Sequence, residues 1–223
     1  MPHFLELALT WSDVGSALRL VVPAVLGVLG TLAVQYVRRP RLKLAADCDL
    51  TWTRIESDGC VYVRLVVTCS GWTKGATGTR VMVERCWRPG DERPRTLGGP
   101  TSLGWPSAQD GVDGSVTVHP DTPRAIDLGA LTRGPHRAGL VYGVGGGALD
   151  GQDARWHLHL GLAGGLAITD GRDVLEPTDW TIGLLVVADD SQTRRYDVSV
   201  SWDGDAHDAQ DVLDTLSVSV KPR

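Results

Sequence analysis

Residues 20–37, LVVPAVLGVLGTLAVQYV, carry no charge, and Arg38, Arg39, Arg41 and Lys43 follow at once. A bilayer is crossed by about 20 predominantly apolar residues, with a lower limit of roughly 17, so this run is long enough to span. A cleaved signal peptide is a poor fit. The first nineteen residues hold Glu6 and Asp13 against a single Arg19, and LAVQYVRR offers no Ala-x-Ala site. A buried core helix is a poor fit too, because the run has no polar face and stands ahead of a β-type pattern. The expectation is a single-pass anchor over 18–37, with Pro23 in its first turn, where a missing N–H costs little.

The flanks give the expected direction. Basic residues crowd the C-terminal side, and the positive-inside rule places that side in the cytoplasm. The expected topology is therefore a plasma (inner) membrane protein with the N-terminus outside and the C-terminal domain cytoplasmic. Residues 1–17 read as a short extracytoplasmic amphipathic lead and 38–41 as the basic stop. Gly27 and Thr31 form a small-xxx-small pair of the kind that lets two helices approach, a route to a homo-oligomer. From Leu42 the period changes to two, so the domain is expected to begin on a short, stiff mount.

Composition narrows the classes of function. A net charge of −5 gives no global basic field for nucleic acid. Cys48, Cys60, Cys69 and Cys86 include no C-x-x-C pair, which excludes the usual zinc-knuckle and redox spacings. In a cytoplasmic domain they are expected as reduced thiols, at least three of them in strands able to bury them.

The remainder reads as strands. Leu42, Leu44, Ala46, Cys48, Leu50 and Trp52 alternate with polar residues, as on a half-buried strand. Val61, Val63, Leu65 and Val67 form a second inner row, and Val81 and Val83 a third. Further strands are expected at SVTVH, RAIDLGAL, RWHLHLGL, WTIGLLVVA, YDVSVSWDG and TLSVSVKPR, with one short helix within AHDAQDVLDTL. Residues 88–114 and 133–152, rich in Gly and Pro, read as long exposed loops. Eight or nine strands at regular spacing with almost no helix predict an all-β fold, a β-sandwich over 42–223 behind one transmembrane helix.

Within this pattern, VYVRLVVTCSGWTKGATGTRVMVERCW resembles the second and third strands of immunoglobulin-like bacterial sandwiches of the CARDB kind. DTPRAIDLG and LLVVADDSQTRRYDVSVSWDG resemble the later strands of membrane-anchored bacterial proteins of that build. Cys69-Ser70-Gly71 stands where those sandwiches have an Asn-containing turn. The resemblance implies an immunoglobulin-like sandwich with an adhesive or scaffolding role, and no catalytic residues.

Candidate sites are few. GVGGGA (143–148) has the letters of a dinucleotide loop, but a turn and a strand follow where a helix is required. His157 and His159 alternate with Trp156 and Leu158, which puts both imidazoles on the wet face of one strand. A metal there would need a third ligand such as His119 or His136. Asp203, Asp205, Asp208, Asp211 and Asp214 are clustered, yet only the first two acids occupy EF-hand positions. No nucleophile elbow, zinc-protease helix or phosphate loop occurs.

The leading expectation is thus a membrane-anchored interaction or scaffold module with an unidentified protein partner. It takes no cofactor, resident metal or nucleic acid, and it is not an enzyme. Contacts are expected on the loops 88–114 and 133–152, with Trp72 and Trp105 as anchors. A ligand- or metal-sensing domain using Asp203–Asp214 or His157/His159 is the alternative, and an enzyme without a recognisable motif the third.

Overall fold

A computed structural model describes residues 11–46, 54–55, 60–70, 75–105, 114–133, 155–163 and 173–223. The chain divides into two compact units, Met1–Arg39 and Pro40–Arg223. The first contains helix α1, Trp11–Arg38. Its 28 residues, at 1.5 Å per residue, extend about 42 Å. Val21–Arg38 is long and apolar enough to cross a membrane. Leu26, Leu29, Leu32 and Val37 are exposed along it. Because the helix starts at Trp11 and not near residue 18, Pro23 lies in its interior rather than its first turn. The ring leaves the Arg19 carbonyl without its usual donor, a loss that apolar membrane helices tolerate when neighbouring groups compensate. At the C-terminal end the Arg39 N–H donates to the Tyr36 carbonyl at 3.4 Å. Arg38 in the last turn meets the negative end of the helix dipole.

The second unit is built of two antiparallel sheets around one core. The first sheet contains β1 (Arg41–Ala45), β2 (Arg54–Ile55), β3 (Val61–Ser70), β7 (Arg124–Arg133), β8 (Trp156–Leu160) and β9 (Val174–Leu175). Its order is β1-β3-β7-β8-β9, with β2 also on β3. The second contains β4 (Ala76–Trp87), β5 (Thr101–Ser102), β6 (Val116–Val118), β10 (Trp180–Val187), β11 (Arg194–Ser201) and β12 (Ser217–Pro222), in the order β12-β11-β10-β4-β5 with β6 on β4. Consecutive strands β3 and β4 lie in different sheets. Their neighbours β7 and β10 come from far along the chain.

Period-two patterning explains the core. The inner rows Leu42/Leu44, Val61/Val63/Leu65/Val67, Val81/Val83 and Tyr196/Val198/Val200 are all buried. Cys60, Cys69 and Cys86 are also buried, and the thiols of Cys69 and Cys86 are free. Burial pushes the Cys86 thiol up to about 12 and raises Cys69, so neither is a ready nucleophile. One end of the core is closed by tryptophans. Trp156 Nε1–H donates to the Ala206 carbonyl and Trp202 Nε1–H to the Trp156 carbonyl, each at 2.9 Å. These bonds tie β8 to the loop leading into helix α2, Ala209–Thr215. Trp180, 1 % exposed, is covered by the guanidiniums of Arg88 and Arg95, 5.4 and 4.9 Å from its ring.

Over its described residues the segment 88–114 is mostly exposed or half-buried, and it is pinned to the sheets at several points. Cys86 and Arg95 exchange backbone hydrogen bonds of 2.9 and 2.7 Å, Thr101–Ser102 pairs with β4, and Leu103 bridges to Leu162. Leu97 and Leu103 join the core. Two leucines among many prolines and glycines are enough to anchor the segment, although they make no periodic pattern. The expected loop 133–152 begins inside β7 at Arg133, and its remainder lies outside the described residues.

Candidate functional site

The acidic segment 203–214 is engaged in its own backbone. Asp208 caps α2, its Oδ1 accepting from the N–H groups of Gln210 at 2.8 Å and Asp211 at 3.0 Å. The Asp211 bond is the main reason its carboxyl lies below the usual range. Asp203 accepts from the Asp205 N–H, Asp211 from the His207 N–H, and Asp214 from the Gln210 side chain. These carboxylates shape the turn that receives the Trp156 indole instead of converging on one point. Among the described residues, no group of three or more His, Cys, Asp or Glu is placed to hold a metal ion.

His157 and His159 are not on a wet face. They are 6 % and 3 % exposed, because β8 is covered on both sides. On β7 and β8 the outer side is instead buried and partly polar, whereas Arg41, Lys43 and Ala45 of β1 are exposed. Cross-strand register sets His159 opposite Ala130 and His157 opposite Thr132, with Val174 beyond His159. The His157 Nδ1–H donates to the Arg155 carbonyl at 3.0 Å. Among the described residues, neither ring nitrogen of His159 has a partner, nor does the Thr132 hydroxyl. Burial, with His157 adding a smaller repulsion, lowers His159 to about 4, so its imidazole is neutral at pH 7. Two strands away, Arg64 Nε–H donates to Asp127 Oδ1 at 2.8 Å, and the same guanidinium lies 5.2 Å from the Tyr62 ring. Burial raises the Asp127 carboxyl against the pull of Arg64. The pair sits where a bulge shifts the β3–β7 register between Val63 and Arg64.

Trp105 is half-buried, packs on the core and donates from Nε1 to the Gly114 carbonyl at 2.9 Å. It thus covers the sheets, while Trp72, His136, 143–148 and Cys48 lie outside the described residues. His119 is exposed beyond β6. Arg38, Arg39, Arg41 and Lys43 are all exposed, and Thr31 donates its hydroxyl to the Gly27 carbonyl at 2.8 Å.

One surface escaped the sequence reading. On the outer face of the second sheet, register aligns Trp87, Thr181, Ser199 and Ser219 in one cross-strand row and Arg85, Gly183, Asp197 and Lys221 in the next. Arg85 stacks 4.9 Å over the Trp87 ring, and Arg223 approaches the same ring at 6.0 Å. Gly183 makes this close packing possible. A Cβ there would lie 3.1 Å from Arg85 Cγ and 3.3 Å from both Trp87 Cζ3 and Arg223 Nη2. Glu84, the extra residue of a β4 bulge, meets Arg223 at 3.7 Å and Arg195 at 3.9 Å. Asp197 pairs with Arg223 and raises its pKa further. The signal was a Trp between basic residues on a strand's polar side; the bulge that turns Glu84 and Arg85 outward together carries no sequence mark.

Comparison of the chain with family models, with curated proteins and with solved structures found no match.

Proposed function

We propose that this chain is a single-pass, membrane-anchored protein-interaction module, with its N-terminus outside and the two-sheet domain in the cytoplasm. The observation that carries this reading is the junction. A long exposed apolar helix ends in Arg38, and only Arg39 and Pro40 separate it from β1. An immunoglobulin-like sandwich is the finer reading of the domain. It is supported by two antiparallel sheets whose neighbouring strands cross between layers, as Greek-key connections require.

Fractionation tests the anchor. The chain is expected to stay in the membrane pellet through alkaline carbonate extraction, and a variant lacking residues 11–38 to appear in the supernatant. Because three of the native thiols are buried, direction is better read from Ser199→Cys on the exposed face of β11. A membrane-impermeant maleimide should label that cysteine only after permeabilisation. Labelling in intact cells would reverse the orientation.

A second reading, a ligand-sensing domain, draws on the unpartnered nitrogens of buried His159. Zinc titration followed by melting temperature separates the two. A rise of several degrees that His159→Leu abolishes supports sensing, and an unchanged melting temperature removes zinc as its ligand.

A further inference from the structure

We propose that the outer face of β4, β10, β11 and β12 binds an acidic segment of a partner protein. This deepens the reading of the domain as an interaction module and rests on it. On a chain of net charge −5, this face concentrates cations: Arg85, Arg195, Lys221 and Arg223 against Glu84 and Asp197. The combination of arginine with a half-buried tryptophan is what well-packed protein interfaces use at their centres. The guanidiniums are preorganised, since Glu84, Asp197 and the Trp87 ring hold Arg223 and Arg85 in place before a ligand arrives. Preorganisation lowers the ordering cost of association.

Small side chains beside the Trp87–Arg85 wall leave room for such a segment. Thr181, Ser199 and Ser219 form a low row across the strands beside Trp87, while Gly183 lies beneath Arg85, Trp87 and Arg223. A carboxylate laid along the wall meets the guanidiniums in charge-assisted bonds. The two interleaved acids select a peptide over a polyphosphate. Uniform negative charge would meet Glu84 and Asp197 as well as the arginines, whereas a peptide places its carboxylates only where cations wait.

The test uses the full chain in phosphatidylcholine nanodiscs and a fluorescein-labelled peptide of alternating glutamate and threonine. Saturable binding that weakens with added salt is expected. The double variant Arg195→Glu/Lys221→Glu, altered at two exposed positions, should bind at least about tenfold more weakly with an unchanged melting temperature. Trp87→Ala should lose affinity even at low salt. No saturable binding, or equal binding by the charge-reversed variant, overturns the proposal. So does tighter binding of a single-stranded oligonucleotide or of phosphatidylglycerol vesicles through the same residues. Carbonate extraction is indifferent to these variants. A chain that pellets with membranes but ignores the peptide therefore overturns the acidic-partner proposal alone.

Discussion

Asp127→Ala is expected to destabilise the two-sheet domain by about 3 kcal/mol, the lower end for breaking a buried ion pair. The side chains of Arg64 and Asp127 are 17 % and 11 % exposed, so some solvent screening remains and the full penalty does not apply. Removing the carboxylate leaves the Arg64 guanidinium with the Tyr62 ring but without the acceptor that holds it at the β3–β7 bulge. For a unit of this size the melting temperature should fall by roughly 6–12 °C. The double variant Arg64→Met/Asp127→Leu should recover most of the loss, since it removes both charges and keeps the volume. Thermal unfolding of the three proteins checks this. A single-variant loss below about 1 kcal/mol would mean the pair is effectively solvated.

Acidification should act through His159 on a similar scale. Above pH 6.5 the imidazole is neutral in both folded and unfolded chains, and it contributes nothing to pH dependence. Between pH 6.5 and about 4 the unfolded chain takes up a proton that the folded chain refuses. Stability is therefore lost as pH falls through that window, by about 3 kcal/mol at 1.36 kcal/mol per unit, and the loss stops below it. Asp127 works in the opposite sense, because its raised carboxyl takes up a proton in the folded state first. His159→Leu isolates the histidine. With no hydrogen bond to lose, the variant should match the parent at pH 7 and exceed it at pH 4.5 in urea unfolding. Parallel pH profiles for the two proteins would show that the imidazole is hydrated.

Both effects arise on a sheet face that the sequence describes only halfway. Alternation in RWHLHLGL identifies Trp156, Leu158 and Leu160 as one row, and they are buried. It assigns His157 and His159 to the other row, and that is also true. Period two says nothing about whether the second row meets water, because a strand's neighbours come from distant chain. The acidic segment shows the same limit. Five aspartates look alike as ligands or caps until the backbone turns and gives three of them N–H partners.

The division at Arg38–Pro40, the all-β character of the rest and most inner rows from Leu42 to Val220 are legible in the residues alone. These follow from local rules: the length of a charge-free run, the alternation of a pleated strand, and prolines and glycines at its ends. Long-range packing joins β3 to β7 and β4 to β10, and pins an irregular segment through Leu97 and Leu103. It alone buried two histidines and set Arg85, Trp87, Gly183 and Arg223 on one face. Those outcomes depend on cross-strand register and on two bulges, at Val63/Arg64 and Gly183/Leu184. A one-residue shift in register moves every following side chain to the opposite face, and the energy that selects it is summed over the whole core.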